Sequence, residues 1–160
     1  MELRLATIED RSMREAFLEL QHSLEVARRG QLVVTTDHPA YLAWIDGTLV
    51  GVATFVAGES ACELLTLHVS RRYAGVGSAL LVAVTDAARR AGCRTLWVVT
   101  TNDNVDALRF YQRRGFRLVR VRPGAVDECR RTLKPEIPVV GDHGIPLRDE
   151  LELELDLGRP

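Results

Sequence analysis

Three patterns in the sequence predict an α/β (α+β) fold, built on a mixed, mostly antiparallel sheet flanked by helices. First, the apolar runs 41–45 and 49–56 flank Asp46-Gly47, a dipeptide that makes the tight turn of an antiparallel hairpin. Second, the run 62–69 leads through a glycine-bearing turn into an apolar-periodic stretch, 77–91, and then into another apolar run, 95–101. Strand, helix and strand in that order supply the crossover that parallel pairing needs. Third, residues 150–156 alternate strictly, with Leu151, Leu153, Leu155 and Leu157 on one face and acids on the other, which is the period of a strand.

In chain order, Leu3, Leu5 and Ile8 open a first strand. Asp10 then stands at the start of a helix that carries Met13, Ala16, Phe17, Leu20, Leu24 and Ala27 on one face and stops at Gly30. His22, Glu19 and Glu25 read as solvated surface of that helix. Residues 33–39 form a loop or short helix, rich in turn chemistry, ahead of the hairpin. After a turn at 58–60 and the strand 62–69, the helix 77–91 buries Leu80, Leu81, Val84, Ala88 and Ala91, and Gly92 closes it. The run 95–101 is nearly all apolar, as a central strand covered on both faces should be. A helix begins at Asn104, and a strand runs from Phe116 to about Val121. Residues 122–150 hold Pro123, Pro135, Pro138 and Pro146 with three glycines and little periodicity. So long an irregular segment is expected to line or cover one side of a cleft, or else to cover a sheet edge or meet a second copy. Arg117, Arg120 and Arg122 are expected to pair across strands with the acids of 150–156.

At 160 residues the chain is most simply one domain, 1–160. A formal net charge of −1 gives no general affinity for nucleic acid or an anionic membrane surface. Cys62, Cys93 and Cys129 are odd in number and lack Cys-x-x-Cys spacing. They read as reduced, buried thiols of a cytoplasmic protein, with neither a disulfide framework nor a metal site. Met-Glu-Leu-Arg-Leu moves at once into strand-like alternation, so no secretory leader is expected. No apolar run approaches a membrane span.

Functional interest centres on Val69–Leu81, where Arg72, Gly75 and Gly77 stand as Arg-x-x-Gly-x-Gly between a strand and a helix. Glycines let the backbone turn sharply and a ligand come close. The first amides of a helix have no internal partner and carry the positive end of its dipole. Together they make an anion site, most often for phosphate. The lysine of a P-loop is absent, and Leu80 occupies the third glycine of a dinucleotide fingerprint. The pattern resembles the coenzyme A pyrophosphate loop of the GNAT acyltransferase superfamily. Residues 104–116, Asn-x-x-Ala-x-x-x-Tyr-x-x-x-Gly-Phe, resemble a second motif of that superfamily. Asn104 suits an N-cap, and Gly115 suits the position that ends a helix. The resemblance covers roughly residues 1–121 in layout and 63–116 in motif detail.

That resemblance implies a GNAT-like sheet whose central parallel strands splay apart. It also implies acetyl transfer from acetyl-CoA, as co-substrate, to a primary amine. The amides of Tyr73, Ala74, Gly75, Val76, Gly77 and Ser78 are the implied pyrophosphate donors, with Arg72 helping. Backbone groups of Leu67, His68 and Val69 would bond the pantetheine arm and one would donate to the oxyanion. Asn104 and Ala107 belong to the cofactor side, and Tyr111 would protonate the leaving thiolate or only pack against the cofactor. Glu63 is the candidate base, with His68 as its rival. The acceptor stays open between a small molecule or amino acid and a protein N-terminus or lysine. Arg130, Arg131 and Lys134 are available for an acceptor carboxylate, and Glu59, Asp103, Asp127, Asp142 and Asp149 for an amine. A non-catalytic CoA-binding module, and a homodimeric assembly, also remain open; nucleic acid and membrane are not implied as partners.

Overall fold

The computed structural model describes residues 1–70 and 75–158. In chain order its elements are β1 (Glu2–Leu5), α1 (Arg11–Leu20), β2 (Glu25–Arg28), β3 (Gln31–Val34), β4 (Ala40–Ile45), β5 (Thr48–Ala57), β6 (Ala61–Val69), α2 (Val76–Arg90), β7 (Thr95–Thr101), α3 (Val105–Gln112), β8 (Arg117–Arg122), α4 (Ala125–Thr132) and β9 (Glu150–Asp156). Seven strands form one sheet in the order β1-β4-β5-β6-β7-β9-β8, and β2 with β3 forms a separate ribbon. The pairs β1/β4, β4/β5, β5/β6 and β8/β9 are antiparallel, and β6 and β7 run parallel, as the α2 crossover requires. The fold is thus the mixed, mostly antiparallel α/β class expected. None of the helices among the described residues is long and apolar enough to cross a membrane.

Two compact units can be distinguished. The first comprises Met1–Val26, Val34–Leu96 and 157–158. One face of its strands packs Ala40, Leu42 and Val52 against Leu18 of α1, all without solvent exposure; each such Leu contributes about 2 kcal/mol of hydrophobic stabilisation. The other face receives α2, whose Leu80, Leu81, Val84 and Ala88 are buried as the periodicity predicts. Gly51 permits this approach, because a Cβ there would meet Val76 Cγ1 at 2.8 Å and Leu80 Cδ1 at 2.9 Å. Asp46 and Gly47 both have positive φ, the geometry of the expected hairpin turn. At the entry to α1, Arg4 Nη1 and Nη2 donate to the two oxygens of Asp10 at 2.6 and 2.8 Å, and the Thr7 amide donates to the same carboxylate at 2.7 Å.

The helix expected to reach Gly30 stops instead at Leu20. Beyond it the chain turns at His22 (φ 54) and forms the β2–β3 ribbon, with Arg29 and Gly30 both at positive φ. Val26, Val33 and Val34 explain the switch, since β-branched residues favour strands and a left-handed pair makes the hairpin turn. Thr35, fully buried, closes the loop by directing its hydroxyl at the carbonyls of Ser23 and Leu24, 3.0 and 2.8 Å away.

The second unit comprises Ala27–Val33 and Trp97–Asp156. Within the stretch expected to be irregular, Ala125–Thr132 forms α4, and polar side chains order the remainder. Arg130 donates to the carbonyls of Ile137, Pro138 and Leu147 at 2.7–2.8 Å and to Asp127 at 2.6 Å. Asn102 fixes the approach to β9: its Oδ1 accepts from the amides of Arg148 and Asp149 at 3.0 and 2.9 Å, and its Nδ2 donates to the Pro146 carbonyl at 2.8 Å. Asp149 in turn accepts from the Gly124 amide at 2.8 Å. The first half of the acid face of β9, opposite the leucines, is itself buried, with Glu150 and Glu152 at 2% and 3% exposure, and the face opens to solvent at Asp156. Arg122 meets Glu152 at 2.7 Å. Arg120 stands opposite Glu152 in the register but makes no ion pair among the described residues, so the expected ladder is only partly formed.

Candidate functional site

In the first unit the end of β6 leads toward the start of α2. Arg72, Tyr73 and Ala74 lie outside the described residues. Gly75 follows as the N-cap of α2 at φ 68, a left-handed conformation that side-chain-bearing residues adopt at a cost of about 1–2 kcal/mol. The first helical bond runs from the Ala79 amide to the Gly75 carbonyl at 3.0 Å, so the Val76 and Gly77 amides precede the ladder and carry the positive end of the dipole. Val76 buries its side chain (1% exposed) and anchors this turn; Ser78 follows in it.

Upstream, β6 carries a bulge. Thr54 pairs with Thr66 but Phe55 pairs with Leu64, leaving Leu65 as an extra residue. One extra residue exchanges the faces on which the preceding side chains stand. Glu63 therefore joins Thr66 and His68 on the face that carries Val52 and Leu18 of α1, and not the α2 face that unbroken alternation would assign. Glu63 is buried, at 4% exposure. Thr54 Oγ1 and Thr66 Oγ1, on partnered residues of this face, are both shut off from solvent without a hydrogen bond among the described residues. Burial pulls the His68 imidazole down to about 4, so it is neutral at pH 7. Leu67 and Val69 are half-buried at the end of the strand.

In the second unit, Asn104 caps α3 as expected, its Oδ1 accepting from the Ala107 amide at 3.1 Å. Tyr111 lies one turn further on, 6% exposed, with its ring edge-on to Phe110 at 5.3 Å and tilted against Phe116 at 5.2 Å. Its hydroxyl makes no hydrogen bond among the described residues. Burial pushes the phenol well above its ordinary value, so the proton stays on through the whole neutral range.

Several polar candidates have structural duties. Arg130 is saturated by three carbonyls and Asp127. Asp103 accepts from Thr101 Oγ1 at 2.5 Å and from the Asp142 amide at 2.9 Å, and Asp149 holds Gly124. Sequence reasoning missed a buried ionic cluster in the second unit. Arg29 clamps Glu152 through Nε and Nη2 at 3.2 and 2.5 Å, and its guanidinium carbon stands 3.7 Å from the centre of the Trp97 ring. The Arg29 amide also lies 3.2 Å from both oxygens of Glu150. The acids of β9 opposite the arginines of β8 were the available signal; the part of Arg29 was hidden by assigning that segment to a helix.

Residues 4–116 match the model of the acetyltransferase (GNAT) family. Among curated proteins, the uncharacterized protein YxbD of Bacillus subtilis (strain 168) is 43% identical over 112 residues, covering 70% of each chain. Among solved structures, the IAA acetyltransferase from Bacillus cereus ATCC 14579 superposes with a TM-score of 0.74 at 20% identity, covering 97% of this chain and 99% of that one. A GNAT family acetyltransferase from Elizabethkingia anophelis, with acetyl-CoA bound, gives a TM-score of 0.67 at 18% identity and covers 97% of both chains.

Proposed function

The chain belongs to the acetyltransferase (GNAT) family, and on that premise we propose that it moves an acetyl group from acetyl-CoA directly to the primary amine of a small molecule or amino acid. The observation that carries this reading is the left-handed Gly75 immediately before the open amides of Val76 and Gly77. A diphosphate fits such a cradle: the backbone is free of side chains where the oxygens must approach, and its donors are fixed before binding.

In this reading the loop from Arg72 to Ser78 holds the pyrophosphate, and backbone groups of Leu67–Val69 hold the pantetheine arm. An amide of that strand end donates to the carbonyl oxygen as it gains negative charge, which is worth about 3–4 kcal/mol in the transition state. Asn104 and Ala107 keep the start of α3 capped and slender beside the cofactor. Glu63 attracts the incoming ammonium and takes its proton. His68 lacks the near-neutral tuning that recommended it as base, and a neutral imidazole gives no such attraction. The amine attacks the thioester carbonyl, the C–S bond breaks, and the Tyr111 hydroxyl gives its proton to the departing sulfur. Its raised pKa and the lack of a hydrogen-bond partner for its hydroxyl among the described residues both support this role. We place the reaction in the cytoplasm, consistent with three buried free cysteines.

The test mixes purified protein with acetyl-CoA and a panel of amines while free thiol is followed. Amine-dependent thiol release together with the acetylated amine by mass is the expected result. Tight acetyl-CoA binding without transfer to any amine would refute the enzyme and leave a cofactor-binding module.

A further inference from the structure

Strand β8 lies at the edge of its sheet, paired on one side with β9. Among the described residues, no backbone group of Arg117–Arg122 bonds to a neighbour on the other side. The outer edge therefore offers a row of unused amides and carbonyls. Leu118, Val119 and Val121 stand 51%, 49% and 48% exposed along it. A bulge sorts the side chains: Leu118 pairs with Leu153 but Arg120 with Glu152, leaving Val119 as the extra residue. Arg117, Arg120 and Arg122 thus share the acid face of β9, and Leu118 and Val121 share its leucine face. Arg122 is engaged with Glu152 at 2.7 Å. Arg117 and Arg120 are exposed and make no ion pair among the described residues.

Charged residues and a bulge on an edge are ordinary devices against unwanted pairing. Three half-exposed aliphatic side chains on the same six residues act the other way, because they reward a strand that covers them. A second β8 is a poor occupant. Matching leucine face to leucine face would set the arginine row of one copy against that of the other, and like charges directly opposite repel. The inner edge shows what fits, since β9 there alternates acids with leucines. An outer strand of the same chemistry would set its acids against Arg117 and Arg120 and its apolar side chains against Leu118 and Val121.

We propose that the outer edge of β8 docks an extended segment of a partner protein, alternating acidic and aliphatic residues, as one further strand. The partner's backbone takes up the free amides and carbonyls, and its charge pattern sets the register and the choice of partner. The proposal is independent of the transferase reading, and thiol release plays no part in its test.

The probes are three fluorescently labelled, end-blocked peptides. One alternates Glu with Val, one alternates Lys with Val, and one alternates Glu with Pro, which keeps the charge but has too few amides to extend a ladder. Anisotropy should show the Glu-Val peptide binding at least about tenfold more tightly than either of the others. Hydrogen exchange at the amides of residues 118–121 should slow when it binds. Arg117→Glu combined with Arg120→Glu should reverse the preference in favour of the Lys-Val peptide. Both side chains are exposed and unpaired, so the fold should persist, and circular dichroism checks this. Should that variant fail to fold, the wild-type protein decides instead: added salt should weaken Glu-Val binding. Equal binding of the Glu-Val peptide and either control, protection confined to residues outside β8, or a preference unmoved by charge reversal or by salt would each overturn the proposal. So would a dimer, seen by sedimentation, whose β8 amides are protected before any peptide is added, because a second copy would then occupy the edge.

Discussion

Replacing Tyr111 with Phe isolates one proton. The ring is 6% exposed and packs on Phe110 and Phe116, and all of that contact survives the change. The lost hydroxyl has no hydrogen-bond partner among the described residues, so none of their donors or acceptors is orphaned, and stability should shift by no more than about 0.5 kcal/mol. Acetyl-CoA affinity should stay within a few-fold. If the phenol protonates the thiolate, the transfer step should slow by about 10²–10⁴, equivalent to roughly 3–5 kcal/mol of barrier. Single-turnover measurements with enzyme in excess, following thiol release, read that step without interference from product dissociation. A thioester with a low-pKa leaving thiol needs no proton, so the two enzymes should converge on it. Because burial raises the phenol pKa, wild-type activity should show no loss attributable to Tyr111 below about pH 10. A Tyr111→Phe enzyme with wild-type single-turnover rates would end the general-acid assignment and leave the family membership untouched.

Gly77→Val places a branched side chain where the diphosphate must come close; calorimetry should find acetyl-CoA binding weakened at least about tenfold, and unchanged affinity in a folded variant would remove the loop assignment. His68 is held near 4 against an ordinary 6.5, so the unfolded chain takes up a proton that the folded one refuses. Stability should therefore decline as pH falls from 6.5 to 4, by up to about 3 kcal/mol, and denaturant titrations of His68→Asn should show a flatter slope over that window. The two Arg4 bonds and then the Thr7 amide hold Asp10 well below the usual carboxylate range. Its contribution is fully present above pH 3.8 and is lost as pH falls from there through the lowered folded value, so Asp10→Asn should lower Tm most at pH 7 and by clearly less at pH 2.

The elements with one dominant pattern were legible from residue order. The Asp46-Gly47 hairpin, the α2 stripe and the Asn104 cap depend on neighbours within one turn of chain, and a local signal suffices for them. The segment 21–34 misled because Leu20, Leu24 and Ala27 continue a helical period by chance, while the left-handed pair at Arg29-Gly30 overrides it. The bulge at Leu65 was invisible, since nothing in Glu-Leu-Leu-Thr-Leu marks which leucine is extra. Its effect on the candidate site is nevertheless direct, because it decides which face Glu63 occupies. The loop glycines and Tyr111 were read from motifs. The Arg29–Glu152 clamp joins residues 123 positions apart, a distance over which composition carries no instruction.

Strand β9 raises a question of alignment that its own residues cannot answer. From Glu150 to Leu157 the chain repeats acid-leucine four times, so sliding it two places along β8 returns a leucine to every leucine position and an acid to every acid position. A one-place slip would turn the leucines to the wrong side and is self-correcting; a two-place slip is not penalised by the pattern at all. Alignment must come from outside the repeat. Asn102, gripping the amides of Arg148 and Asp149, fixes the leading end, and the Leu157 amide, bonded to the Arg94 carbonyl at 2.9 Å, fixes the trailing one. These few unrepeated polar contacts act as the index marks of an otherwise featureless ruler, and their loss would yield a mixture of alignments as well as a weaker strand.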